Sequence, residues 1–198
     1  MIPRQKGFGY PLIGMDEVGR GAWAGPFVAC ALFVGEDHHC VAGVRDSNEL
    51  SARRREQLSV GLRARHQWGL GVVSVEELNT IGMARAQVVV FERAVKGLGR
   101  VEGKLGEILI DGRPLRSHPE WRAIIDGDRK VYAIAAASII AKVERDAMMI
   151  QLHEADGRYR FDLHKGYGTA LHQRLLTEHG PSIHHRRLFE PVRKMLYF

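Results

Sequence analysis

Apolar residues fall along the chain in two rhythms, short unbroken runs and longer stretches at helical spacing. The runs from Tyr10 to Met15 and "FVACALFVG" from Phe27 to Gly35 are bounded by glycines and have the length of buried strands. The glycine-rich stretch between them predicts a hairpin with an elaborate turn. From Ser51, "SARRREQLSVGLRARHQ" opens on a capping serine and sets Leu58 and Leu62 at helical spacing, after which "WGLGVVSV" returns to strand. Ser74 and Glu77 form a capping-box pattern ahead of a long helix through Met83, Val90 and Ala94. A fourth strand, "GEILID", runs from Gly106 to Asp111 and is followed by a loop carrying "IDGDRK". The alanine-rich "VYAIAAASIIAKVERDAMMIQLHEA" then predicts a long helix after a short extended start.

The last third is more basic and less regular. "YRFDLHKGYGT" reads as a loop, "TALHQRLLTEHG" as a helix capped by Gly180, and "PSIHHRRLFEPVRKMLYF" as a tail wrapped on the body. There is no internal repeat and no low-complexity linker. Early strands followed by alternating helix and strand predict an α/β fold, a mixed central sheet flanked by helices. Residues 1–198 are expected to form a single domain, with a small helical C-terminal extension over about 155–198.

Composition narrows the class without naming a function. Hydrophobic residues make up 45% and charged residues 26%, as in an ordinary globular protein. Cys30 and Cys40 are the only cysteines and lack Cys-x-x-Cys spacing, which predicts two reduced thiols and argues against a disulfide framework or a thiolate metal site. "MIPRQKGFGY" lacks the apolar core of a signal peptide, and no apolar run has the length needed to cross a bilayer, so a cytoplasmic protein without a membrane partner is expected. The formal charge of +6 favours a polyanionic partner through counterion release.

Acidic residues break this basic background at particular places. Asp16, Glu17, Asp111 and Asp128 each lie at or just beyond a strand end or in a glycine-marked loop. Taken singly, each is read as readily as a turn former or a solvated strand end. Taken together, they deliver acid from separate apolar segments to what is expected to be one sheet edge, where open sheets of this class hold their ligands. Such a cluster would raise its own pKa values unless hard divalent cations neutralised it, which implies Mg²⁺ or Mn²⁺. Without a Cys-rich or His-x-x-x-His set, a structural zinc site is disfavoured.

Five blocks in order carry a family resemblance. "IGMDEVGRGAWAGP" resembles the amino-terminal signature of ribonuclease HII, and "RDSNEL" that family's Asp-Ser-Lys-Lys-Leu segment. "LIDG" is similar to its third acidic strand, "AAASIIAKVERD" to its helix signature, and "HKGYGT" with "HHRRLF" to its carboxy-terminal elements. The resemblance implies a ribonuclease H-like fold and catalysis at two divalent ions held by Asp16, Glu17, Asp111 and Asp128. It further implies cleavage of RNA:DNA hybrids, and of duplex DNA on the 5′ side of an embedded ribonucleotide, leaving 3′-hydroxyl and 5′-phosphate ends. Asp126 and Asp146 are rival acids to Asp128; for Asp146 the expected role is a helix-surface ion pair with Lys142.

Substrate selection requires a polar group at the 2′-hydroxyl, the local difference between RNA and DNA. Gly19 and Gly21 let backbone approach a sugar, and Arg20 between them can hold a phosphate. The resemblance assigns ribonucleotide reading to Tyr167 as well, and Lys165 is a candidate phosphate contact, against the plainer reading of a solvated loop lysine. Arg53, Arg54 and Arg55 occupy a predicted first helical turn, where the dipole disfavours cations; a nearby nucleic-acid backbone or a solvated basic face both account for them. Where the family usually has two lysines after Asp46 and Ser47, this chain has Asn48 and Glu49, removing an expected phosphate contact. His184, His185 and Arg186 are expected to be structural. "MLYF" is expected to pack as a tail; it lacks the glutamine of a sliding-clamp box and leaves a clamp contact unsupported. A monomer is expected. The rival readings are ribonuclease HIII, which usually has a further amino-terminal domain, a junction resolvase of the same fold, and a noncatalytic nucleic-acid-binding module whose acids bind a structural cation.

Overall fold

The computed structural model describes residues 9–36, 40–101 and 106–196; the readings of most of "MIPRQKGFGY" and of the last two residues of "MLYF" lie outside them. β1 (Leu12–Val18) and β2 (Phe27–Val34) form the expected antiparallel hairpin, with Leu12 opposite Val34 and Val18 opposite Val28. α1 (Ala52–Arg65) is capped by Ser51, whose side chain accepts from the Arg54 amide, and leads into β3 (Gln67–Val73), antiparallel to β2. α2 (Val75–Leu98) begins with the complete Ser74–Glu77 capping box and is interrupted at Gly82, which has a φ of 71°. β4 (Glu107–Asp111) lies parallel to β1, and β5 (Arg122–Ile124) lies parallel to β4, so the mixed sheet has the order β3-β2-β1-β4-β5.

α3 (Gly127–Lys130) precedes α4 (Tyr132–Ala155), the long alanine-rich helix. α5 (Phe161–His164), α6 (Ala170–His179) and α7 (Glu190–Lys194) follow in the C-terminal extension. α3, α5, α7 and β5 were not expected from the sequence; each is three to five residues long, too short for hydrophobic periodicity to register. β1 also runs three residues further than the apolar run predicted, because pairing with β2 carries Asp16 and Glu17 along as strand residues opposite Cys30 and Ala29.

Both faces of the sheet are covered, which is why its strands read as unbroken apolar runs. On one face Leu12, Leu32 and Leu109 pack under α4 and against Leu58 and Leu62 of α1. On the other, Ile13, Met15, Phe27 and Ile110 pack against Val90, Phe91 and Ala94 of α2. Two glycines permit the close approach of helix to sheet: a Cβ on Gly14 would overlap the Ala133 carbonyl carbon of α4, and one on Gly71 would overlap the Val90 carbonyl oxygen of α2. Cys30 is buried and Cys40 exposed, both as free thiols. Among the described residues no helix is long and apolar enough to cross a membrane.

The extension has a small core of its own, Tyr159, Phe161, Leu176 and Val192, joined to the body through Ala24 and Met149. Its buried imidazoles form a directional chain. The Ser182 amide donates to His185 Nδ1 at 3.0 Å, which leaves His185 Nε2 as the donor toward His172 Nε2 at 3.1 Å. His172 Nδ1 then donates to the Tyr167 carbonyl at 3.0 Å. Every link requires a neutral ring. Burial, reinforced by the neighbouring histidines, pulls His172 down to about 4 and His185 down to about 3.

Gly14→Ala is expected to destabilise the fold by about 3 kcal/mol or more, because backbone cannot retreat from the new methyl, and urea denaturation will measure it. The histidine chain contributes stability that is complete above the unfolded imidazole pKa of about 6.5 and is lost as the pH falls toward the folded values. For His172 alone the loss is roughly 3 kcal/mol when fully developed. Unfolding free energies measured from pH 7.5 to 4.5 should fall less steeply in His172→Gln than in the parent chain.

Candidate active site

The parallel pairing of β1 with β4 stops at Met15 opposite Ile110, while β1 continues along β2 to Val18. Asp16 and Glu17 therefore lie beyond the last parallel pair, next to Asp111 at the C-terminal end of β4. Asp111 Oδ1 accepts from the Gly127 amide at 2.6 Å, which ties the start of α3 to the strand end. The approach is close at Gly127, where a Cβ would lie 2.7 Å from Ile134 Cδ1 and 3.0 Å from Asp111 Oδ1. The next residue is Asp128. All four predicted carboxylates thus line one cavity of about 360 Å³. Gly19, Arg20, Gly21 and Tyr167 line it too, with Val18, Ser47, Asn48, Ser138 and Lys142.

Negative charge is crowded here. Burial raises Asp16 well above the usual carboxylate range, and Glu17 and Asp111 add to the effect. Glu17 is raised by burial against the pull of Gln87 and of Arg20, whose guanidinium is 3.7 Å away. Burial also raises Asp111, although the amides of Gly127, Asp128 and Gly112 oppose it. Asp128 is pushed up to about 6 by burial, then by Asp46 and Asp111. Among the described residues no three side chains are drawn into a formed metal cage. Backbone amides hold two of the acids: Asp16 Oδ1 accepts from the Glu17 amide at 2.8 Å, and Asp111 is held as above. The lining has carboxylate and hydroxyl oxygens and neither thiolate nor imidazole, a donor set that suits hard divalent cations. Cations would also offset the burial and the crowding of like charge that raise these pKa values.

The rival acids lie elsewhere. Asp126 is exposed and faces Lys130 at 4.0 Å. Asp146 makes the expected ion pair with Lys142 at 2.8 Å and a second with Arg55 at 3.5 Å. Arg55 is turned inward, donating to the carbonyls of Ser47 at 3.0 Å and Leu50 at 2.7 Å, so its place in the first turn of α1 is explained by internal acceptors. Arg53 and Arg54 are exposed. Asn48 lines the cavity, whereas Glu49 faces Arg45 at 3.8 Å. Lys165 is not among the cavity-lining residues; its ammonium donates to the Asp162 carbonyl.

Three residues beside the acids were not assigned to the site from the sequence. Lys142 lines the cavity 5.9 Å from the Tyr167 ring centroid. Ser138 bonds Ser47 through their hydroxyls at 2.9 Å, joining α4 to the turn that holds Asn48. Asp46 caps that turn through the Asn48 amide and accepts from Arg129 Nε at 3.0 Å. The spacing of Ser138 and Lys142, one helical turn apart on the cavity side of α4, is the signal that could have found them.

Comparison with known proteins agrees with this geometry. Residues 13–192 match the family model described as Ribonuclease HII. The ribonuclease HII of Halorhodospira halophila is 43% identical over 199 residues, 99% of either chain. Among solved structures, the ribonuclease H2 from Pyrococcus horikoshii superposes with a TM-score of 0.73 at 25% identity, over 94% of this chain and 97% of that one. Bst-RNase HIII, solved in complex with Mn²⁺, has the same fold, with a TM-score of 0.75 at 21% identity over 96% of this chain and 70% of that one. With a mixed sheet of this topology and identity sustained from end to end, the chain belongs to the ribonuclease HII family of endoribonucleases.

Proposed function

We propose that this chain hydrolyses the RNA strand of RNA:DNA hybrids and cuts duplex DNA on the 5′ side of an embedded ribonucleotide, using two divalent cations, Mg²⁺ or Mn²⁺, held by Asp16, Glu17, Asp111 and Asp128. The supporting observation is the convergence of these carboxylates on one cavity that the Gly19–Gly21 loop also lines. Cations bound there supply the activation of water and the neutralisation of charge on the leaving oxygen. A Mn²⁺ complex of a protein with the same fold, Bst-RNase HIII, is in keeping with that choice of ion.

The chain's own residues do the rest. Asp16 and Asp128, both raised toward protonation first by burial, would hold the ions as carboxylates, so metal binding is expected to release protons. Gly21 has no heavy atom within 4 Å of the position a Cβ would take, which leaves room for a sugar against the backbone. Tyr167, on the same cavity, is suited to pack on the neighbouring deoxyribose. Arg20 and Lys142, the latter also paired with Asp146, are the lining cations that would face a phosphate where the family's lysine is replaced by Asn48.

A labelled DNA duplex holding one ribonucleotide, incubated with Mg²⁺ or Mn²⁺, should be cut on the 5′ side of that residue, and an all-DNA duplex should not. Asp111→Asn is expected to lower the rate by roughly a thousandfold or more, because an amide cannot neutralise a cation. No cutting with either ion, or equal cutting of the all-DNA duplex, overturns the reading. Duplex binding without turnover would instead favour a noncatalytic module.

A further inference from the structure

Arg145 and Arg186 are both fully buried, in positions where a charged side chain is seldom found without an acidic partner. Among the described residues, every hydrogen bond of either guanidinium goes to a main-chain carbonyl. Arg145 donates from Nε to Pro26 at 2.9 Å, from Nη1 to Lys165 at 3.0 Å and from Nη2 to Ala24 at 3.2 Å. Arg186 donates from Nε to Gly25 at 3.0 Å and from Nη2 to Pro26 at 3.0 Å. Its Nη1 reaches two successive carbonyls, Gly19 at 2.6 Å and Arg20 at 3.1 Å. The Arg186 amide is also bonded to the Trp23 carbonyl at 2.7 Å, so side chain and backbone of one residue grip the same loop.

That loop is the one proposed to meet the ribose. In a planar trans peptide the N–H points opposite to the C=O. With the Gly19 and Arg20 carbonyls both turned to Arg186, the amides of Arg20 and Gly21 are turned the other way, as two adjacent donors on one side of the chain. Gly19 makes this possible through a φ of +88°, and a Cβ there would overlap the Arg145 guanidinium.

We infer that Arg186 is a positioning residue for ribonucleotide recognition: by holding two successive carbonyls of the Gly19–Gly21 loop, it sets the orientation of the amides that meet the 2′-hydroxyl. The inference rests on the proposed reading of that loop as the ribose contact. Burial, with the charge of Arg145 nearby, pulls Arg186 down to about 9, the cost of keeping a cation where only carbonyls can serve it. A lysine could not substitute, because an ammonium lacks the planar fork that reaches several carbonyls at fixed angles.

The test compares the parent chain, Arg186→Lys and Arg186→Gln on three substrates: a duplex with one ribonucleotide, the same duplex with a 2′-fluoro nucleotide there, and all-DNA. Thermal unfolding checks that each variant is folded. In the parent, strong preference for the ribonucleotide is the control for the loop reading; if the parent cuts all three alike, that reading fails before Arg186 is at issue. Given that preference, a folded variant is expected to lose about 10- to 100-fold in kcat on the ribonucleotide substrate, the scale of a displacement near 1 Å. Its affinity for the all-DNA duplex and its residual rate on the 2′-fluoro substrate should stay within about twofold of the parent, on the same scale of reasoning. A folded variant that keeps the parent's ratio of ribonucleotide to 2′-fluoro cutting overturns the inference. So does failure of both variants to fold, which would make Arg186 an element of stability and not of recognition.

Discussion

The candidate site depends on a mismatch in strand pairing. β1 is held by β2 along its whole length but by β4 only as far as Met15, so its last residues have a neighbour on one side and open space on the other. Into that space go Asp16 and Glu17, with Asp111 at the end of the shorter neighbour. Had β4 continued, a sheet neighbour and its hydrogen-bonded ladder would occupy the cavity. The crowded carboxylates are a direct consequence, and their pKa values are raised first by burial at that edge and then by neighbouring acids.

The C-terminal extension solves a different problem, that of holding an irregular glycine loop in one shape. Loops of this kind have few partners of their own, and here the partners come from far along the chain: Arg145 on α4 and Arg186 near its end. Both spend their donors on main-chain carbonyls, among them those of Ala24 and Gly25. The neutral histidine chain from Ser182 to the Tyr167 carbonyl works in the same way, fixing the backbone beneath a cavity-lining ring. Close contacts without side chains finish the joint, since a Cβ on Gly168 would overlap the Trp23 ring and one on Gly166 would overlap the Ala24 carbonyl. Cavity floor and cavity rim are thereby coupled through backbone.

Much of this was legible in the amino-acid order. The second run of the hairpin, the capping box of α2, the alanine-rich α4 and the end of α6 at Gly180 all announce themselves through local rules of periodicity and capping and form where expected, while β1 is displaced toward its acids. The four acids were legible as a group because each lay at or just beyond a strand end or in a glycine-marked loop, and they line one cavity. The ion pair of Asp146 with Lys142 was legible as well, being a contact within a single helix.

Tertiary structure alone decided the remainder. Asp128 is separated from Asp126 by one residue; the hydrogen bond from Gly127 to Asp111 ties that turn to the strand end, with Asp128 lining the cavity and Asp126 exposed. Lys165 follows the same logic in reverse: a basic loop residue by sequence, its ammonium is taken by the backbone of α5. Arg186 looks like one more member of a basic tail, and nothing local distinguishes it from Arg187, which is exposed. Its role arises from carbonyls about 160 residues away in the chain, as the separation of the bonded pair shows. Local pattern determines elements because its forces act over one or two turns; which donor meets which acceptor is settled only when the elements pack.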